Sequence, residues 1–154
     1  ALFARLAVAV DAGGALLSPG GGIPVDALLA AGCFGLARLT AIAREAAEQC
    51  GGTYVPEVAP LRPLETVLAD WDHSRRIMFC NETLVGSRAG LTGQNGDKWA
   101  VLIGPEGGFS KAEQAHLRAL PFTTPVSLGP RILRADTAAV AALALWQAAL
   151  GDWR

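Results

Sequence analysis

An α/β fold, built as a mostly parallel sheet with helices on both faces, is the class this sequence predicts, and three observations carry it. Apolar runs rich in Val, Ile and Leu alternate along the chain with segments of helical period. Two glycine-rich turns each follow a strand-like run and lead into a helix-like one. The 154 residues are 51% hydrophobic and 18% charged, enough apolar material for one compact core rather than a disordered chain.

The strand candidates are Leu2–Val10, Thr53–Val58, Arg75–Cys80, Trp99–Ile103 and Pro125–Leu128. Between them, Arg38–Cys50 places Leu39, Ile42, Ala43, Ala46 and Ala47 on one side, with Arg44, Glu45 and Glu48 elsewhere, which is amphipathic helical spacing. Pro63–Trp71 is a shorter helix whose proline suits the first turn, and Val25–Ala31 is a further short one. Ser110–Leu120 and Asp136–Leu150 are the clearest helices of the second half. Ser110 followed by Glu113 fits a capping box, and Gly151 closes the last helix. Gly13–Pro24 and Thr83–Asp97 read as glycine-rich loops.

Composition excludes several classes. No stretch offers the roughly 20 uninterrupted apolar residues of a membrane span, so a soluble chain with no membrane partner is expected. The N-terminal residues lack the basic, apolar and small-residue regions of a signal peptide. Cys33, Cys50 and Cys80 are odd in number and lack short ligand spacing, which argues against a disulfide framework and a metal site and fits a reducing cytoplasm. A net charge of -1 does not by itself advertise a nucleic-acid partner.

Two segments carry chemistry. In Trp99–Ser110 a strand ends, a glycine turn follows at Gly104, Gly107 and Gly108, and a capped helix begins. The glycines would let a ligand approach the backbone, although the pattern is neither the dinucleotide nor the phosphate-loop fingerprint, and a purely structural turn explains it equally well. Ser127–Ala138 repeats the arrangement, with Arg131 and Arg134 beside Asp136 and Thr137 at a polar helix start. There Thr137 or Asp136 would serve as the N-cap and the arginines as solvated residues. Glu106 could meet ribose hydroxyls or an amino group of a ligand, or bond neighbouring N–H groups. Asn81 and Glu82 follow an apolar strand and could face the same crevice, though an exposed strand end is the simpler reading; His73 and His116 read as surface residues without a partner at useful spacing, and Trp146 as core or dimer packing rather than a base-stacking platform.

The pair IGPEGGFS and LGPRILRADTAA, with Arg44–Gln49 followed by Val55-Pro56 upstream, resembles the signature of RsmE-type bacterial 16S ribosomal RNA (uracil-N3)-methyltransferases of the SPOUT superfamily. The likeness spans roughly residues 38–150. It implies that residues 1–154 form one SPOUT domain whose C-terminal segment makes a deep trefoil knot, an exception to the general absence of knots. It also implies a homodimer through the knot region, 16S ribosomal RNA as partner, and S-adenosylmethionine held largely by backbone groups. By that match Ile103, Gly104, Glu106 and Gly107 form one wall of the cofactor site, and Ser127, Leu128, Gly129, Ile132 and Leu133 the other. Uracil N3 must lose its proton before it attacks a methyl group, so the site has to align the reactants and favour the uracil anion. Arg134 is the first candidate for that work and Arg131 the second, with Thr137 as a hydrogen-bonding partner.

The sequence departs from the family pattern in several places. The family's N-terminal PUA-like RNA-binding domain has no counterpart in this chain, so the chain is expected to be a piece of a longer protein, to bind the methyl donor and to methylate ribosomal RNA poorly by itself. A usual Lys-x-x-Glu-Leu-Gly helix is missing between Asp11 and Gly35, Gly51 and Gly52 stand where an arginine is usual, Asp136 replaces a commoner glutamate, and Ala135 a commoner threonine. Two other readings stay open: a SPOUT methyltransferase acting on another base or a ribose 2′-hydroxyl, and a nucleotide-binding α/β domain without catalysis.

Overall fold

A computed structural model describes residues 6–11, 36–52, 55, 63–81, 84, 91, 98–104 and 108–151. Its elements are β1 (Leu6–Asp11), α1 (Leu36–Gln49), α2 (Leu64–Ala69), β2 (Arg76–Cys80), β3 (Lys98–Ile103), α3 (Lys111–Ala119), β4 (Thr123–Val126) and α4 (Ala135–Ala149). The strands form one sheet in the order β1-β3-β2-β4. β2 runs parallel to both β3 and β4, whereas β1 lies antiparallel to β3 at the edge. The expected α/β fold is therefore present, with one antiparallel edge strand.

Period-two alternation divides the core between the two faces of the sheet. Met78, Cys80, Trp99, Val101, Ile103 and Val126 join Ala138, Ala142 and Trp146 of α4 in one cluster. Ile77, Phe79, Ala100 and Leu102 face the other way, onto Leu68 of α2 and Leu117 of α3 with Trp71, Phe109 and Phe122. Strands buried on both sides read as continuous apolar runs, which is why β2 and β3 were legible. Trp146 is fully buried in the first cluster, on the same face of α4 as the buried Ala138 and Ala142.

The structure shifts or withdraws several expected elements. β4 begins and ends two residues earlier than Pro125–Leu128: Thr123 and Thr124 pair with Ile77 and Met78, and the turn at Ser127 ends the ladder. Pro125 sits in this strand because β4 is at the edge, where a missing N–H is tolerated. Of Thr53–Val58 only Val55 is described, and it is in no strand. The expected Val25–Ala31 helix lies outside the described residues. On α1, Ala47 is buried but Ile42 and Ala46 are exposed, so the apolar stripe read from the spacing is only partly covered. Gly51 N–H donates to Glu48 O and Gly52 N–H to Ala47 O, the paired bonds of a Schellman ending, which gives the glycines after Gln49 a structural reason. Among the described residues no helix is long and apolar enough to cross a membrane.

Candidate functional site

β3 and β4 flank β2 and run parallel to it, so the loops that follow them, 104–110 and 127–134, leave the same edge of the sheet. At a strand spacing of about 4.8 Å the two loop origins stand roughly 10 Å apart, with the end of β2 between them. Crevices outside the carboxyl ends of parallel strands are where open α/β sheets bind ligands. The described start of the first glycine motif, Gly104, and the second glycine turn, Ser127–Gly129, both stand at this end of the sheet.

The first loop begins at Ile103, which is buried, and Gly104, which is half-buried. A Cβ at Gly104 would lie 2.8 Å from Phe109 Cε2, so glycine here is demanded by the ring folded back over it. Phe109 in turn packs edge-on against Phe79 with ring centroids 5.0 Å apart. Gln114 Nε2 donates to Phe109 O at 2.8 Å, tying the loop to α3. The expected capping box is formed: Glu113 N–H donates to Ser110 Oγ at 3.2 Å, and Ser110 N–H to Glu113 Oε2 at 2.8 Å. Glu106 and Gly107, expected in the cofactor wall, lie outside the described residues.

The second loop is held by its own hydroxyl and by two leucines. Gly129 N–H donates to Ser127 Oγ at 3.3 Å, and that hydroxyl donates to Gly129 O at 3.4 Å. Gly129 has φ +120°, a region closed to most side chains, and nothing lies within 4 Å of the position its Cβ would take. Leu128 and Leu133 pack onto the α4 side of the core, whereas Ile132 between them is 75% exposed. The backbone of this loop is thus anchored from below and open from above.

The charged residues gather at the start of α4, though not as expected. The N-cap is Arg134, not Thr137 or Asp136, and it makes no side-chain capping bond. Asp136 lies in the first turn, where the helix dipole favours an anion. Its Oδ1 accepts from Thr137 N–H at 2.7 Å and from Thr137 Oγ1 at 3.3 Å, with Arg134 Nε at 3.8 Å. The Thr137 N–H, ahead of the nearby Arg134 guanidinium, holds the Asp136 carboxyl below the ordinary carboxylate range. Arg134, Asp136 and Thr137 therefore form one exposed cluster, and Arg131 is exposed on the same loop.

Two placements correct the sequence reading. Asn81 is buried rather than an exposed strand end: it stands directly after β2, its N–H donates to Val126 O at 3.1 Å, and its carbonyl accepts from Leu84 N–H at 3.1 Å. A buried asparagine directly after β2 had one signal in the sequence, a polar residue at the end of a buried apolar run. His73 and His116 are exposed as expected, but tertiary contact brings both to one depression with Glu65 and Phe122, far apart in sequence. There His73 stacks on Phe122 at 4.8 Å. The depression lies where β2 and β4 begin, at the opposite edge of the sheet from the glycine loops.

Known proteins share this arrangement. The sequence model of the RNA methyltransferase domain family matches residues 29–147. A ribosomal RNA small subunit methyltransferase E from Treponema pallidum is 32% identical over 114 residues, covering 70% of this chain and 42% of that protein. A crystal structure of a ribosomal RNA small subunit methyltransferase E from Neisseria gonorrhoeae, bound to S-adenosyl methionine, superimposes with a TM-score of 0.69 at 27% identity. That match covers 86% of this chain and 57% of the other. A putative methyltransferase from Legionella pneumophila, in complex with bound SAM, gives a TM-score of 0.62 at 32% identity, covering 75% of this chain and 46% of its own. The chain spans about half the length of these relatives, 42% to 57%. With the family match running through both glycine loops and nearly all of α4, the chain belongs to the RNA methyltransferase domain family, and its RsmE-type likeness is shared by sequence and fold.

Proposed function

We propose that this chain is the catalytic domain of an enzyme that transfers a methyl group from S-adenosylmethionine to N3 of a uridine in 16S ribosomal RNA. The observation that carries this is that the two glycine motifs start at the same ends of the parallel strands β3 and β4, within a chain whose relatives are named for small-subunit ribosomal RNA methylation. Family membership favours it over a nucleotide-binding domain without catalysis.

The residues fit the cofactor. Nothing lies within 4 Å of the position a Gly129 Cβ would take, so a ligand can approach the main chain there, and the Ser127 hydroxyl fixes the shape of the turn through its bonds with Gly129 N–H and O. Ile103 and Gly104 would line one wall with Glu106 and Gly107, and Ser127, Leu128, Gly129 and Leu133 the other, chiefly through main-chain atoms, with Ile132 contributing its main chain only. When bound, S-adenosylmethionine supplies a methyl group on a positively charged sulfur.

The chain's own residues have two tasks. Arg134, first, and Arg131, second, offer fixed positive charge to a phosphate or to the uracil anion left when N3 loses its proton. Asp136 lies within ion-pair distance of Arg134 at the helix start, and Thr137 supplies a hydroxyl beside it. The C-terminal segment carrying these residues forms the family's trefoil knot, residues 1–154 act as one SPOUT domain, the domain pairs with a second copy through the knot, and the enzyme works in the cytoplasm.

Titration calorimetry with S-adenosylmethionine tests the site. Saturable binding is expected, and Gly129→Val, which sets a branched side chain on a backbone at φ +120° and so distorts and covers this turn, should abolish it in a protein that still unfolds cooperatively. A folded wild-type chain that binds no donor refutes the assignment. Incubation of 16S ribosomal RNA with labelled donor, followed by mapping of the modified nucleotide, then identifies the base and atom.

A further inference from the structure

Ile132 is the most exposed large apolar side chain among the described residues, at 75%, and it stands on the loop that borders the proposed donor crevice. Its apolar neighbours on that loop do the opposite: Leu128 and Leu133 turn inward against the α4 cluster. Inward anchors on both sides hold the outward isoleucine firmly. Arg131 precedes it and Arg134 follows two residues later, both exposed, so an apolar tip is bracketed by two cations. Val140 is nearly as exposed but sits along α4 without flanking arginines, within Ala-rich helix.

We propose that Ile132 is a wedge that enters the RNA base stack and fills the gap left when the target uridine turns out into the crevice. The inference rests on the uridine-N3 reading above and deepens it. N3 lies on the edge of uracil that pairs with another base, and a stacked, paired uridine keeps that atom out of reach. Enzymes that modify such atoms take the base out of the stack, and the cost of unstacking is met by groups that occupy the vacancy. Branched apolar side chains serve as such wedges between base steps. The flanking arginines complement the two phosphates on either side of the gap, where a lone apolar residue would find no attraction to a polyanion. Main-chain atoms of Ile132 remain available to the donor, because its side chain points away from the anchored side of the loop.

The test compares wild type, Ile132→Ser and Ile132→Phe on ribosomal RNA whose modified uridine has been mapped. Three quantities are read: donor affinity by calorimetry, oligomeric state by sedimentation, and the single-turnover rate of methyl transfer. Ile132→Ser should lose at least about tenfold in rate while donor affinity and oligomeric state stay within twofold, and Ile132→Phe should keep most of the rate. On RNA with an abasic site beside the mapped uridine, where unstacking is already done, the Ser variant should recover. A Ser variant as fast as wild type overturns the wedge, as does an equal loss on both RNAs. Loss of donor binding would make the Ile132 side chain, and not its main chain alone, part of the cofactor wall, and conversion of a dimer to a monomer would make it a contact between copies; either overturns the proposal. Failure of wild type itself to bind donor or methylate RNA would instead strike the underlying uridine-N3 reading.

Discussion

The ring of Phe109 occupies the volume that a side chain at Gly104 would need, with Phe109 Cε2 2.8 Å from the Cβ position. Gly104 ends the buried run of β3, and Phe109 is the first large apolar residue described after the turn, so the contact folds the loop back onto the sheet. Gly104→Ala should therefore destabilise the fold by about 1–3 kcal/mol, as overpacking does. Phe109→Leu in the same protein should relieve part of that cost. Urea unfolding of the two single variants and the double checks it: a double variant whose loss equals the sum of the singles would show that the ring and the glycine are not coupled.

Ser110 and Glu113 satisfy each other's neighbouring backbone donors at the start of α3. Ser110→Ala should cost about 1 kcal/mol of stability. Glu113→Gln, whose amide oxygen can still accept from Ser110 N–H, should cost less. The comparison is made by thermal or urea unfolding, and a larger loss in the Gln variant would contradict the reciprocal cap.

Arg134 and Arg131 are solvent-exposed, and neither fills the core. Arg134→Ala should leave the unfolding midpoint unchanged while lowering methyl transfer on the order of 100-fold, the scale on which a lost charge-stabilising group acts. Arg131→Ala should lower it less. Arg134→Lys restores charge but not the fork geometry and should recover only part of the rate. Single-turnover assays at saturating donor report this, and an Arg134→Ala protein with wild-type turnover would remove the residue from the mechanism.

Cys80 and Cys50 differ sharply in environment. Burial pushes the Cys80 thiol up to about 12, whereas Cys50 is exposed at the end of α1. At pH 8 an alkylating reagent should label Cys50 within the native state and reach Cys80 only when the protein opens, which peptide mass mapping resolves. The neutral thiol in the folded state has a pKa above its ordinary value of 9.0, so its contribution is complete below that pH and is lost as pH rises toward 12. Unfolding free energy should thus fall between those limits by on the order of 1 kcal/mol per pH unit from this group. Cys80→Ala should flatten that slope, and an unchanged slope would assign it to other groups.

The sequence by itself determined the α/β class, the central strands β2 and β3, the helices α3 and α4 with the Ser110 cap, and the two glycine motifs. Each of these is written in neighbouring residues: continuous apolar runs for strands buried on both faces, period 3.6 for helices, and a Ser-x-x-Glu spacing for the cap. The membership of an RNA methyltransferase family was legible for the same reason, since two short loop motifs carry it. What only the tertiary structure decided depends on contacts between distant segments. β4 starts at Thr123 because it pairs with Ile77, a partner no local pattern names. Asn81 is buried because β4 and the turn at Leu84 take its backbone groups. His73 and His116 line one depression because α3 packs against β4. Within the loop 127–134, spacing could not separate the leucines that anchor it from the isoleucine that faces solvent. That choice belongs to the α4 cluster, which has room for Leu128 and Leu133 and leaves Ile132 outside.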